Sequence, residues 1–539
     1  MTDFVHVTGS ERTSGEHPPG PEPAVIPMVN PALLSAYQAR LLDPATATRK
    51  PGRTQLNPTV YVSNTLLVRG LPTRGAADTI KALQGVADGL GLTVGISARD
   101  LRYADAFADD PYAAVLDSVW ATRLTLSSTS DTASAPPDAW ASLESARAHR
   151  VVDDGAAALE HVWSACGGTW GSVGGTWGSV GGTWGSVGGT WGSVAGPISE
   201  YGAPGFGGRT PVSWAGTDPY RQDPDGPRAP TVVVLDTGLG DHPWFRNERG
   251  YRSTLAVSRP PGADPEAIGV VTDPLNGMVD PDAGHGTFIA GMIRQRCPGA
   301  HIAAVAVTPA SGAALEQDIL IALALLLRGQ HQAIDNGDAA SLTDVVNFSM
   351  GYYHETPTDA ATDGPLRSAI DALTAAGVIV VAAAGNDATS TPFFPAAFAG
   401  AGSPLVSVGA LNPDGASVAL FSNNGTQSAA PSWITTHAIG AGVVSTVPVT
   451  LSGGRGRSVF VDRNDPAPRA TVDPDDYRSG FAVWSGTSFA APRIAGDLLA
   501  ALATDADLGV TTLDAATARA ERAVATVLDA AAKSLGTAT

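Results

Sequence analysis

Five short runs from Thr231 onward, TVVVLD, AHIAAVAV, DVVNFSMG, GVIVVAAAGN and LVSVGAL, are apolar at nearly every position and are separated by stretches with helical spacing. A strand that alternates apolar and polar residues can leave one face in water, whereas a run that is apolar throughout must be covered on both faces. Helices lying between successive strands provide that cover. From Thr231 onward the pattern therefore predicts an α/β domain, a mostly parallel sheet flanked by helices. At 539 residues the chain is too long for one small domain, and 43% hydrophobic against 16% charged residues supplies ample core.

The rest of the chain divides by composition. Residues 1–30 are polar and rich in Pro and Gly, and read as a disordered tail. Residues 31–163 carry strand-like runs at Tyr61–Val68, Thr93–Ser97 and Arg123–Ser127. Thr73 can cap a helix with Ile80, Leu83, Val86 and Leu90 on one stripe, closed by Gly91, and Pro137–Arg147 opens with a second helix-start signature. The order suggests a small α+β module of the split βαβ (ferredoxin-like) kind. Residues 164–230 read as linker, and 231–535 as the α/β domain.

The linker contains GGTWGSV four times without an error, at 167–194. Three glycines in seven make ordering costly and exclude a rigid helix or a coiled-coil seam. Seven is odd, so in a continuous strand Trp170, Trp177, Trp184 and Trp191 would point alternately to opposite faces. A flexible tether reaching about 90 Å when extended is one reading. Tryptophans that dock on an aromatic-friendly partner or pair the segment into β-rich assemblies are another, and a segment that is itself cleaved is a third.

Three short motifs carry chemistry. TVVVLDTGLG places Asp236 at the C-terminal end of a buried strand, where open α/β sheets gather functional groups. GHGTFIAG places His285 between two glycines at a helix start, and SGTSFAAP places Ser488 at the entry to a small-residue helix. Singly, each has a bland explanation as a turn Asp, a structural His or a capping Ser. Together they are an orienting carboxylate, a base and a nucleophile, the parts of an acyl-transfer site. No histidine follows Ser488, and Ala490 breaks a G-x-S-x-G elbow, so the α/β-hydrolase order is excluded. The order Asp, His, Ser on an α/β sheet is what remains.

These blocks resemble the signature segments of the subtilisin-like serine peptidases (subtilases, family S8). VVAAAGN resembles the family's oxyanion segment, which implies Asn386 as side-chain donor to the oxyanion. NFSMG resembles the segment that pairs with substrate backbone, implicating Ser349, Met350 and Gly351, with Ala383, Ala384 and Gly385 as the opposite wall. The resemblance implies a serine endopeptidase acting on peptide or protein substrates, made as a self-processed zymogen whose residues 31–163 act as prodomain and intramolecular inhibitor. A catalytically idle scaffold that only binds peptides is the competing reading, and the intact set of catalytic residue types counts against it.

No cofactor is needed for this chemistry and no metal site is expected. A structural Ca2+ is compatible with the family but not assignable, since Asp473, Asp475 and Asp476 read as a solvated loop. The net charge of -19 and the absence of basic runs exclude nucleic acid as main partner. The first residues lack an apolar h-region and no stretch of eighteen apolar residues occurs, so cytoplasmic synthesis without a membrane span is expected, and export would need a leaderless route. Cys166 and Cys297 allow one bridge at most, and Cys297 is expected to be a small buried hydrophobe.

Overall fold

The computed structural model describes residues 31–48, 56–129, 136–153, 155–165, 208–213, 215–219, 227–245, 250–251, 264–271, 275, 277–356, 364–400, 404–425, 432–461, 467 and 469–536. The N-terminal tail, Cys166 and the GGTWGSV repeats lie outside them.

The first unit comprises α1 (Pro31–Ala36), β1 (Ala39–Leu42), β2 (Thr59–Arg69), α2 (Ala77–Gly89), β3 (Leu92–Ile96), α3 (Ala98–Ala106), α4 (Ala113–Val119), β4 (Ala121–Ser128), α5 (Ala139–Ala148) and β5 (Ala157–Ala165). Four strands pair antiparallel in the order β5-β2-β4-β3. Helices α2 and α5 cover a core that includes Leu66, Leu83, Leu124, Trp140 and Leu159. Asp138 caps α5 by accepting from the Trp140 amide (3.0 Å), and its carboxylate also takes the Tyr61 hydroxyl (2.9 Å), locking helix start to strand. Leu90, expected on the α2 stripe, sits just past the helix and is exposed.

The second unit begins with β6 (Thr210–Val212), β7 (Thr231–Asp236) and β8 (Gly250–Tyr251), followed by α6 (His285–Arg296), β9 (His301–Ala306), β10 (Ala313–Leu315) and α7 (Glu316–Asp335). It continues with β11 (Val345–Phe348), β12 (Met350–Tyr353), α8 (Gly364–Ala375), β13 (Ile379–Ala383), β14 (Phe393–Phe394), β15 (Leu405–Leu411) and β16 (Thr436–Ile439). The last elements are β17 (Val443–Thr446), β18 (Phe481–Trp484), α9 (Thr487–Ala503) and α10 (Leu513–Gly536).

Among the described residues a seven-stranded sheet runs β16-β15-β13-β11-β7-β9-β8, and its pairings are parallel. The apolar runs account for it: Val232–Leu235, Val345–Phe348 and Ile379–Ala383 are buried along their whole length. Helix α6 lies between β8 and β9 in the chain and α8 between β12 and β13; α6 packs against α9, and α8 against α7. In an open sheet of this kind the crevice for functional groups lies beyond the carboxyl ends of the strands, here those of β7 and β11.

Two boundaries differ from the sequence expectation. Residues 210–212, expected as linker, form β6, which pairs antiparallel with β18 in a three-stranded sheet with β17. Arg228 from the same stretch forms a two-pronged ion pair with Asp344 (2.6 Å each). These short pieces have few apolar residues and hold by charge and backbone pairing, which a search for apolar periodicity does not see. The two units also share one apolar core: Leu67, Leu116, Trp120 and Trp163 cluster with Ile319, Leu323, Leu366 and Ile370.

Candidate active site

Asp236 ends β7 with its side chain buried, 1% exposed, at the mouth of the crevice. Its Oδ1 accepts the Thr237 amide (2.8 Å). His285 opens α6 after Gly284, whose φ of +82° few other residues adopt without strain. Gly286 follows because a Cβ there would lie 2.2 Å from the Gly238 carbonyl oxygen, so the helix start can press against the loop after β7 only as glycine. That contact brings His285 Nδ1 to 2.8 Å from Asp236 Oδ1 and 3.0 Å from Oδ2. Burial alone would lower the His285 pKa, but the Asp236 charge and hydrogen bond outweigh it and the net shift is upward. Nδ1 is therefore held as the donor, and Nε2, which has no hydrogen-bond partner among the described residues, is the atom left to exchange protons. Trp484 and Phe489 wall the ring, with centroids 5.4 and 5.3 Å away.

Ser488 lies in the first turn of α9, where backbone amides have no helical carbonyl to bond. Pro492 stands four residues later and has no N–H for the Ser488 carbonyl. The Ser349 hydroxyl fills that gap, donating to Ser488 O at 2.9 Å, and is itself approached by Asn347 Nδ2 at 3.0 Å. In return Ser488 Oγ donates to the Ser349 carbonyl (2.9 Å). The nucleophile candidate is thus turned to Ser349, while the Asp236–His285 arm is already formed.

Asn386 follows β13, and its Oδ1 accepts both the amide and the hydroxyl of Thr487 (3.0 and 2.9 Å). The same hydroxyl accepts the Gly385 amide at 3.2 Å. With its oxygen committed, Asn386 presents its NH2 end as donor. Sequence reading missed Thr487, although it sits one residue before Ser488; only the packing of α9 against β13 reveals its second partner.

Of the expected substrate-contacting residues, Met350 and Gly351 lie on β12 and pair antiparallel with Ala165 and Ser164 of β5. On its other side β5 pairs with β10, Ser164 opposite Ala313 and Val162 opposite Leu315. The Ala165 amide donates to Gly312 O (2.9 Å). The end of the N-terminal unit therefore lies as an extended strand between two strands of the C-terminal unit, next to Ser349. Ala383, Ala384 and Gly385 form the buried end of β13 and the turn after it.

Charge fixes this arrangement. His161 of β5 is fully buried, with Nδ1 2.8 Å from Glu316 and Nε2 2.9 Å from Glu355, both on the C-terminal unit. Burial lowers its pKa, but the two carboxylates more than reverse that and hold the imidazole charged well above its ordinary range. Both ring nitrogens donating is what an imidazolium does. Tyr352 stacks on the ring at 4.3 Å. His354 lies beside Glu355 and accepts the Thr356 amide on Nδ1 (2.9 Å); burial pulls it down to about 4, so it stays neutral. His161, His354 and Glu355 are close enough to share an ion. The hydrogen bonds to His161 and to His354 Nδ1 already occupy their ligand atoms.

Arg209, from the stretch expected as linker, is buried in the C-terminal unit. It donates to the carbonyls of Pro281 and Ala283 (2.6 and 2.9 Å) and of Asp280 (2.6 Å), and its guanidinium lies over Tyr477 and Trp484. It fixes the turn leading to Gly284 and His285. Asp475 is buried and binds the Arg455 amide, and Asp476 pairs with Arg478, so the acidic run is part of a folded loop. Cys297 is a buried thiol with no disulfide partner among the described residues, and burial pushes it up to about 11. No helix among the described residues is long and apolar enough to cross a membrane.

The fold is that of an α/β protein with a carboxylate–imidazole pair at the carboxyl end of its parallel sheet, and comparison with known proteins specifies the family. Residues 228–534 match the model of the subtilase family, peptidase family S8, and the chain belongs to that family. It is similar to a thermophilic serine proteinase of Bacillus sp. (strain AK1), 31% identical over 223 residues, covering 40% of this chain and 42% of that protein. Subtilisin BL of Lederbergia lenta is 32% identical over 179 residues, covering 32% of this chain and 52% of that protein. The chain thus spans about half the length of these relatives. Among solved structures, fervidolysin from Fervidobacterium pennivorans matches with a TM-score of 0.41 and 18% identity, over 85% of this chain and 56% of that one.

Proposed function

We propose that the protein is a serine endopeptidase in which Asp236, His285 and Ser488 form the triad and Asn386 donates to the oxyanion. The observation that carries this reading is the Asp236–His285 pair, 2.8 Å apart in the crevice at the sheet's carboxyl end, with Ser488 at the adjoining helix start. A rotation of the Ser488 side chain away from the Ser349 carbonyl frees Oγ for His285 Nε2. His285 then takes the hydroxyl proton as Oγ attacks the peptide carbonyl, and returns it to the departing amine. The Asn386 NH2 and the Ser488 amide stabilise the tetrahedral oxyanion, and Asp236 holds the imidazolium.

The N-terminal unit is read as the inhibitory prodomain. Its last strand, β5, occupies the place between β10 and β12 where an extended substrate would pair, and its end at Ala165 abuts Ser349, the partner of Ser488. Self-processing is then expected in the segment after Ala165, which begins with the repeats. It should end before Gly208, because Arg209 and β6 are built into the C-terminal unit. A fluorophosphonate probe tests the activity: wild type should label on Ser488, and Ser488→Ala and His285→Ala should not. An idle scaffold would leave wild type unlabelled. Mass spectrometry of wild type beside Ser488→Ala tests processing. Fragments beginning within 166–207, spaced by seven residues and absent from the mutant, support it; an active enzyme with uncut repeats refutes it.

A further inference from the structure

A second carboxyl group lies beside the Asp236–His285 pair. Glu266 comes from the short turn at 264–268, is 1% exposed, and belongs to none of the motifs that mark the site. One oxygen takes a short hydrogen bond from the Thr237 hydroxyl, and the other accepts from Thr287 Oγ1 at 2.5 Å. Those threonines are the residue after Asp236 and the third residue of the His285 helix. Thr237 Oγ1 lies 3.2 Å from Asp236 Oδ1 and accepts the Gly286 amide at 2.8 Å. Thr287 Oγ1 accepts the Gly240 amide at 2.7 Å. Every link between the loop after β7 and the first turn of α6 that uses a threonine hydroxyl thus ends on Glu266.

We propose that Glu266 is a positioning residue for the triad, fixing Asp236 and His285 relative to each other through Thr237 and Thr287 and adding a negative charge behind the imidazole. The proposal rests on the endopeptidase reading for its kinetic consequence but not for its geometry. The Thr237 hydroxyl has one proton and two carboxylates within reach. When Glu266 is ionised it draws that proton; when Glu266 is protonated it donates to Thr237 and the hydroxyl turns to Asp236. Burial pushes Glu266 up to about 7, against the pull of Thr237 and Thr287, so both states are accessible near neutrality. The charged and titratable groups acting with it are Asp236, Asp264 on its own turn and His285, and Asp282 ahead of the helix acts on the same imidazole.

Glu266→Gln mimics the protonated state: its NH2 can donate to Thr237 and its carbonyl can accept from Thr287. Glu266→Ala strands both hydroxyls. The first readout is the downfield Nδ1 proton of His285, followed against pH by NMR in the full chain carrying Ser488→Ala. Removing a negative charge behind the imidazole should move its titration to lower pH in Glu266→Gln at unchanged melting temperature. Glu266→Ala should broaden or erase the resonance. With Ser488 restored, fluorophosphonate labelling of Glu266→Gln at acidic pH should be on the order of threefold to tenfold faster relative to its own plateau. Thr237→Val, which cuts the link to Asp236, should reproduce the broadening if the Glu266 variants fold poorly. Superimposable titrations of wild type and Glu266→Gln, with a sharp resonance in Thr237→Val, would overturn the proposal. Because the resonance needs no turnover, an unlabelled wild type would sink the endopeptidase reading alone.

Discussion

Replacing His161 by Ala tests how the N-terminal unit is held in the crevice. The imidazolium is fully buried between Glu316 and Glu355, at 2.8 and 2.9 Å. Deleting it leaves two carboxylates facing one cavity, with Arg147 the cation that still acts on Glu355. Removing one partner of a buried ion pair costs about 3–5 kcal/mol, so β5 should detach about 10²–10⁴ times more often. In the full chain carrying Ser488→Ala, which cannot cut itself, amide hydrogen exchange across Ala157–Ala165 reads that opening directly. The pH dependence has a definite sign. A raised imidazole pKa means the contribution is complete below the ordinary imidazole range and disappears as pH climbs through the raised value. After correction for intrinsic exchange, wild-type protection of β5 should therefore fall on the alkaline side, and His161→Ala should show no such fall. Protection in His161→Ala within a factor of ten of wild type would refute the reasoning. So would a β5 whose protection ignores pH in wild type.

Three further outcomes follow from the geometry. Asn386→Ala should lower turnover by about 10²–10³-fold with little change in KM, as measured on a peptide substrate of the processed enzyme. Thr487→Val, which leaves the Asn386 carbonyl only the backbone amide of residue 487 and takes the acceptor from the Gly385 amide, should lower kcat by roughly tenfold or more while Ser488 still labels. Arg209→Ala should cost about 3–5 kcal/mol in thermal unfolding, because the carbonyls of Asp280, Pro281 and Ala283 lose a buried donor; Lys at that position should recover only part.

The residues proposed for the triad were legible because each sits in a local motif whose reason is also local. His285 needs Gly284 for the backbone turn and Gly286 for close approach, and both are visible as GHG. Thr487, Glu266 and Arg209 were not legible, since each acts through partners far along the chain. Thr487 reaches Asn386, 101 residues away, and Arg209 reaches Ala283 across 74. A lone Glu between Pro and Ala, or an Arg in a Gly-rich stretch, carries no periodic signal. The helices at Ala98–Ala106 and Ala113–Val119 escaped for a related reason: they bury short stripes against another unit, and Tyr112 and Asp110 find their partners on α7.

By itself the sequence determined the parallel sheet, because runs apolar at every position admit no half-exposed solution. It determined the subtilase membership of residues 228–534 as well, through motifs whose spacing reflects strand ends and helix starts. Only the tertiary structure decided that β5 of the first unit joins β10 and β12 of the second, and that His161 becomes a charge held between two carboxylates. The physical reason is that burial and charge pairing between distant segments depend on which surfaces meet, and no local pattern of residues encodes that meeting.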